Sequence, residues 1–181
     1  MVSGRDVAGR GRFFAALFAA SAGLLVCILA PASSAAAGEI VAFKDGAARG
    51  TIVIKTEERR LYLVIGRGRA LSYPVGVGRA GRQWVGKARI KGKYRSPNWA
   101  PPPAIRLDRP DLPAVIPGGA PENPMGVAAL TLSGGNYAIH GTNAPKTIGQ
   151  FVSYGCIRMS NEDITDLYKR VRVGTRVVVT R

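Results

Sequence analysis

Apolar and polar positions along this chain fall into short β-type runs separated by turn residues. Glu39-Ile40-Val41-Ala42-Phe43, Thr51-Ile52-Val53-Ile54 and Arg60-Leu61-Tyr62-Leu63-Val64-Ile65 are rich in β-branched and aromatic side chains. Asp45-Gly46 and Gly66-Arg67-Gly68 supply the turns between them. Leu71 to Val77 continues the meander, and Lys87 to Tyr94 alternates in the manner of a half-exposed strand. Residues 96–124 then hold nine of the twelve prolines. Proline removes ladder donors and breaks helices, so a long irregular loop is expected there, acting as a lid or substrate loop. Strand pattern returns at Gly126 to Leu132 and at Tyr137 to His140. Ser160 is a helix-capping residue followed by acids, and Ile164, Leu167, Tyr168 and Val171 recur at helical spacing. Gly174 stops that helix before a last strand, Arg176 to Thr180. The pattern predicts a mainly β domain with a short helix.

The N-terminus breaks this pattern. Arg5, Arg10 and Arg12 precede an uncharged apolar run from Phe13 to Ala30, and Ala35-Ala36-Ala37 offers a cleavage site. This layout predicts a signal peptide over residues 1–37, with an uncleaved membrane anchor as the alternative. Residues 38–181 then form one catalytic-sized domain, exported to a periplasm or cell wall. The leader takes three arginines and one aspartate with it, so the net charge falls from +15 to +13. A domain this basic needs an anionic partner. Nucleic acid is excluded as that partner, because the basic residues form no helical stripe and do not alternate with aromatic platforms. Wall polymer with free peptide carboxylates fits better. Membrane contact is expected only through the leader, if it is retained.

Gly76-Val77-Gly78-Arg79-Ala80-Gly81 matches a dinucleotide-binding pattern, but no helix opens after it and no acidic residue follows at the ribose distance. A hairpin is the better reading. One histidine, and one cysteine outside the leader, are too few for structural zinc, so neither metal nor organic cofactor is expected. Those two residues are the candidate chemistry. His140 and Cys156 lie sixteen residues apart, both framed by glycine. A thiol needs a nearby base or cation to become a thiolate, and an exported chain has little use for an unpaired cysteine otherwise. No acid lies between residues 123 and 161, so a backbone carbonyl is the simplest group to orient the imidazole. Arg158 shares the side of Cys156 if the segment is extended, where it suits a substrate carboxylate or a thiolate.

The residues His140-Gly141-Thr142, Ser153-Tyr154-Gly155-Cys156-Ile157-Arg158-Met159 and Asn161 resemble the L,D-transpeptidase catalytic domain, the YkuD family. Tyr73 to Gly78, Pro97 to Pro102 and Asn123 to Gly126 are similar to other parts of it, so the likeness spans roughly residues 50–180. Two departures stand out: Tyr154 replaces a common histidine, and Trp84-Val85-Gly86 replaces a common Thr-Pro-x-Gly. The resemblance implies a β-sandwich-like catalytic domain serving peptidoglycan synthesis and cell shape. It implies Cys156 as nucleophile and His140 as general base and acid, forming a thioester with a peptidoglycan stem peptide. The terminal D-amino acid leaves, and the acyl group passes to an amine of another stem peptide or of an envelope lipoprotein. Transfer to water would make a carboxypeptidase, and loss of chemistry would leave a wall-binding module. Gly155, Gly141 and Ser153 are expected to orient the site, with the Gly155 and Cys156 amides as oxyanion donors. Arg158 and Tyr154 are expected to bind substrate.

Overall fold

A computed structural model describes residues 38–181; the expected leader, residues 1–37, lies outside the described residues. Eleven strands and two α-helices occur among the described residues, in the order β1 (Glu39–Ala42), β2 (Ile52–Lys55), β3 (Arg60–Gly66), β4 (Arg69–Pro74), β5 (Val77–Gly78), β6 (Gly86–Arg95), α1 (Pro103–Asp108), β7 (Ala128–Leu132), β8 (Ala138–His140), β9 (Phe151–Ser153), β10 (Ile157–Arg158), α2 (Asn161–Arg170) and β11 (Arg176–Thr180). Nine strands make one sheet in the order β1-β4-β3-β2-β11-β6-β7-β8-β10, and β5 pairs with β9 beside it.

Strand β6 explains the sandwich-like shape. Its first half pairs with β11 and its second half with β7. The register slips between Ile90 and Gly92, a bulge that bends the strand as it changes partners. Ile52, Ile54, Leu61 and Leu63 from one half of the sheet then share a core cluster with Ile90, Leu130, Ile139 and Ile157 from the other. The expected alternation of β6 holds, with Ala88, Ile90 and Gly92 buried and their neighbours more exposed. Strand β2 instead reads as a continuous apolar run because both of its faces are covered: Val53 packs with Phe43, Val64 and Ala70 in a second cluster.

Helix α2 starts where its capping residue places it. Ser160 Oγ accepts the Asp163 N–H at 3.0 Å, Glu162 and Asp163 occupy the positive first turn, and Lys169 and Arg170 the last. Ile164 and Leu167 are fully buried, each contributing about 1.5–3 kcal/mol. Lys93 Nζ closes the far end, donating to the Tyr168 and Val171 carbonyls at 2.6 Å each.

Two expectations are corrected. The expected strand Leu71 to Val77 divides: β4 ends at Pro74 and β5 joins β9. The proline-rich segment 96–124 is not wholly irregular, since α1 begins at Pro103. Proline at the first position of a helix loses an N–H that has no partner there anyway. The segment is gathered by buried Asn123, whose side-chain nitrogen reaches the Pro97, Ile116 and Pro117 carbonyls at 2.9–3.2 Å. Gly76 to Gly81 runs through β5 into a turn and on to β6, with Gly81 in the left-handed region at φ 71°.

Candidate active site

Strands β8 and β10 are parallel, with Ile157 beside Ile139 and Arg158 beside His140. Side chains alternate along a strand, so Arg158 and His140 share a face, and Cys156, two residues before Arg158, shares it too. All three line a cleft of about 1310 Å³. The proline-rich segment forms another wall of that cleft, through Trp99, Pro102, Ile105 and Asp108 among others. The sixteen-residue separation is thus the path from β8 through a 3₁₀ turn, Pro145–Thr147, and β9 back to the neighbouring strand.

His140 is buried, with 4% exposure. Its Nδ1 lies 2.6 Å from the Gly141 carbonyl oxygen. A carbonyl only accepts, so a proton on Nδ1 satisfies this contact and makes Nε2 the basic nitrogen, with the Pro124 carbonyl as a second acceptor close to the ring. Burial lowers the imidazole pKa to about 4, so it is a neutral base at ordinary pH. Burial also raises the Cys156 thiol above its usual value, against smaller opposing effects of an Ala138 backbone hydrogen bond and the Arg158 charge. Both shifts favour a neutral thiol and a neutral imidazole rather than a standing ion pair, and the Cys156 Sγ contacts the Asn136 carbonyl at 4.0 Å. Arg158 donates from Nη1 to Thr147 Oγ1 at 2.9 Å, while its buried Nε has no partner among the described residues.

The loop carrying the thiol is braced from within. Ser153 Oγ donates to the Cys156 carbonyl at 2.6 Å and accepts the Gly155 N–H at 3.0 Å. The Gly155 amide, expected as an oxyanion donor, is engaged by Ser153 Oγ in this structure. The Cys156 N–H has no hydrogen-bond partner among the described residues. Trp84 Nε1 donates to the Gly155 carbonyl at 2.9 Å, and its ring stacks on Tyr137 with centroids 4.7 Å apart. Gly155 has φ 117°, and a Cβ there would come within 2.5 Å of Tyr137, so only glycine fits.

The histidine segment is braced by Asn161, whose Oδ1 accepts the Thr142 N–H at 3.0 Å and the Val127 N–H at 3.3 Å. A Cβ on Gly141 would lie 2.4 Å from that oxygen. Tyr154 lines the cleft, but its hydroxyl is hydrogen-bonded to Asp108 of α1, and the Arg79 guanidinium sits 4.1 Å above its ring. Arg79 also pairs with Asp108 at 2.8 Å. The group expected to meet substrate is thus engaged in tying α1 to the loop that carries Cys156. Sequence reasoning did not single out Asp108, Arg79, Trp84 or Tyr137 as site residues. The one signal was that Trp84 stands where the family pattern is broken.

Comparison with known proteins converges on one family. The YkuD family profile, described as the L,D-transpeptidase catalytic domain, matches residues 49–179. The probable L,D-transpeptidase ErfK/SrfK of Escherichia coli is 42% identical over 140 residues, covering 72% of this chain and 44% of the relative. The probable L,D-transpeptidase YbiS of Escherichia coli is 44% identical over 135 residues, covering 70% and 43%. The chain spans less than half the length of these relatives. Solved structures of L,D-transpeptidase 3 from Mycobacterium tuberculosis (TM-score 0.55, 20% identity, 72% of this chain and 60% of that one) and of an L,D-transpeptidase from Mycobacterium smegmatis (0.56, 16%, 72% and 58%) share the fold.

Proposed function

The chain belongs to the L,D-transpeptidase (YkuD) catalytic-domain family, and from that premise we propose that it is an exported acyltransferase acting on peptidoglycan stem peptides, with Cys156 as nucleophile and His140 as base. The observation that carries the reading is a neutral, buried imidazole, fixed through Nδ1 by the Gly141 carbonyl, on the same cleft face as the thiol. Substrate closing over the cleft would bring the carbonyl before the terminal D-amino acid to Cys156. Sγ attacks that carbonyl carbon as the thiol proton passes to His140 Nε2. The negative charge develops on the carbonyl oxygen, for which the unpartnered Cys156 N–H is the available backbone donor. Collapse breaks the peptide bond, the leaving amine takes the proton from His140, and a thioester remains. An incoming amine then gives its proton to His140, attacks the thioester and regenerates the thiol.

Trp84 acts as a positioning residue in this reading. In a trans peptide the C=O and the next N–H point in opposite directions. The indole holds the Gly155 carbonyl from behind the loop, so the Cys156 N–H of the same peptide is turned the other way. Arg158, with an unpaired buried Nε, suits a carboxylate of the donor peptide. The acceptor is an amine of a second stem peptide, an envelope lipoprotein lysine, or water. Product chromatography from a tetrapeptide stem separates these outcomes: cross-linked dimer marks a peptide amine, lysine conjugate a lipoprotein, tripeptide water. Equal product from wild type and Cys156→Ala removes the reading.

A further inference from the structure

A second cleft, sharing no lining residue with the first, gathers six cations. Arg49, Arg89, Lys169, Arg170, Arg172 and Arg176 line a depression of about 550 Å³ where the end of α2, the α2–β11 turn and strands β6 and β11 meet. No carboxylate lines it. Arg170 is paired with Asp166 at 2.8 Å, and the other five make no ion pair among the described residues. Two of these cations stand against their own strand pairing: Arg176 lies directly opposite Arg89 in the β11–β6 register. Like charges facing each other across a sheet are destabilising. The Arg89 guanidinium is held in place by the Gly174 carbonyl at 3.0 Å, so the repulsion is not simply relieved by swinging away.

We propose that this cleft is a binding site for the carboxylate groups of the wall polymer, engaging stem peptides neighbouring the one delivered to Cys156. Guanidinium groups take carboxylates bidentately, and several spread over one depression suit a polymer with repeated anions better than a single small ion. The lining has no aromatic side chain on which nucleobases could stack. The ligand assignment rests on the peptidoglycan reading above; the anion site itself does not.

The test compares Arg89→Gln/Arg176→Thr with a control, Arg67→Gln/Arg69→Gln, which removes the same charge from the β3–β4 turn. Co-sedimentation with purified sacculi is measured across a salt series, alongside turnover of a soluble tetrapeptide and the melting temperature. The cleft variant is expected to bind sacculi on the order of tenfold more weakly at low salt. It should also melt no lower than wild type and turn over the soluble peptide at the wild-type rate, while the control binds normally. Equal losses in both variants would reduce the effect to net charge and overturn the site, as would unchanged binding in the cleft variant. Cleft-dependent binding that is tighter to duplex DNA, or to phosphatidylglycerol–phosphatidylethanolamine vesicles, than to sacculi would overturn the ligand assignment. Absence of tetrapeptide turnover in wild type, with cleft-dependent sacculus binding intact, would instead count against the transpeptidase reading alone.

Discussion

Trp84→Phe removes one N–H and little else. Phenylalanine keeps an aromatic ring to stack on Tyr137, now at 4.7 Å centroid separation, but leaves the buried Gly155 carbonyl without the donor that holds it at 2.9 Å. An unsatisfied buried acceptor costs about 1–3 kcal/mol. Expressed as global stability, that lowers the melting temperature by a few degrees. Expressed locally, it lets the Gly155–Cys156 peptide rotate and misaim the Cys156 N–H. Losing an oxyanion donor outright costs about 10²–10³ in rate, so partial misalignment should cost on the order of tenfold to a hundredfold. The assay contrasts two probes of the same thiol. Acylation by p-nitrophenyl acetate passes through a tetrahedral oxyanion, whereas alkylation by iodoacetamide does not. The variant should acylate on the order of tenfold or more slowly while alkylating at the wild-type rate with an unchanged pH profile. Equal slowing of both reactions, or of neither, refutes the positioning role of Trp84.

Other consequences are as direct. The His140 pKa falls from 6.5 unfolded to about 4 folded, so the unfolded chain binds the extra proton between those values; stability should drop by roughly 3 kcal/mol as pH falls through that window, and His140→Gln should flatten the slope in urea titrations. Alkylation of Cys156 in the free protein should rise with pH through a midpoint above the ordinary thiol value, because burial disfavours the thiolate; a midpoint below 7 contradicts the neutral-pair description. Gly141→Ala sets a methyl 2.4 Å from Asn161 Oδ1 and should cost more than 2 kcal/mol by chemical denaturation, while Gly149→Ala, with open space around it and only the backbone strain of φ 80° to bear, costs less. Asp108→Asn weakens the tie to Tyr154 and Arg79, and limited proteolysis within residues 96–124 should accelerate without a change in melting temperature above a few degrees.

Local pattern carried most of the strand assignments and helix α2. The Ser160 cap and the recurrence of Ile164 and Leu167 are short-range signals, and both reappear in the packed helix. Helix α1 was not legible, because three successive prolines read as breakers and a proline is tolerated at a helix start only when the residues after it continue the helix. The split at Pro74 likewise depended on β5 finding β9, more than seventy residues away. Within the site, His140 and Cys156 stood out by rarity, and Arg158 by alternation. Trp84 reaching Gly155 and Asp108 reaching Tyr154 are contacts between distant segments, and no periodicity announces them. The glycine before Cys156 suggests a free amide, whereas in the structure the Gly155 N–H donates to Ser153 Oγ two residues earlier.

The central claim is that Cys156 takes the acyl group of a stem peptide. Intact-mass analysis of the protein quenched during turnover of a tetrapeptide stem tests it, with proteolytic mapping of the modified residue. A thioester adduct on Cys156 equal to the peptide minus its terminal D-residue and water, absent in Cys156→Ala and trapped for longer when no amine acceptor is supplied, is the predicted result. Product formation without any adduct on Cys156, or an adduct on another residue, contradicts the account.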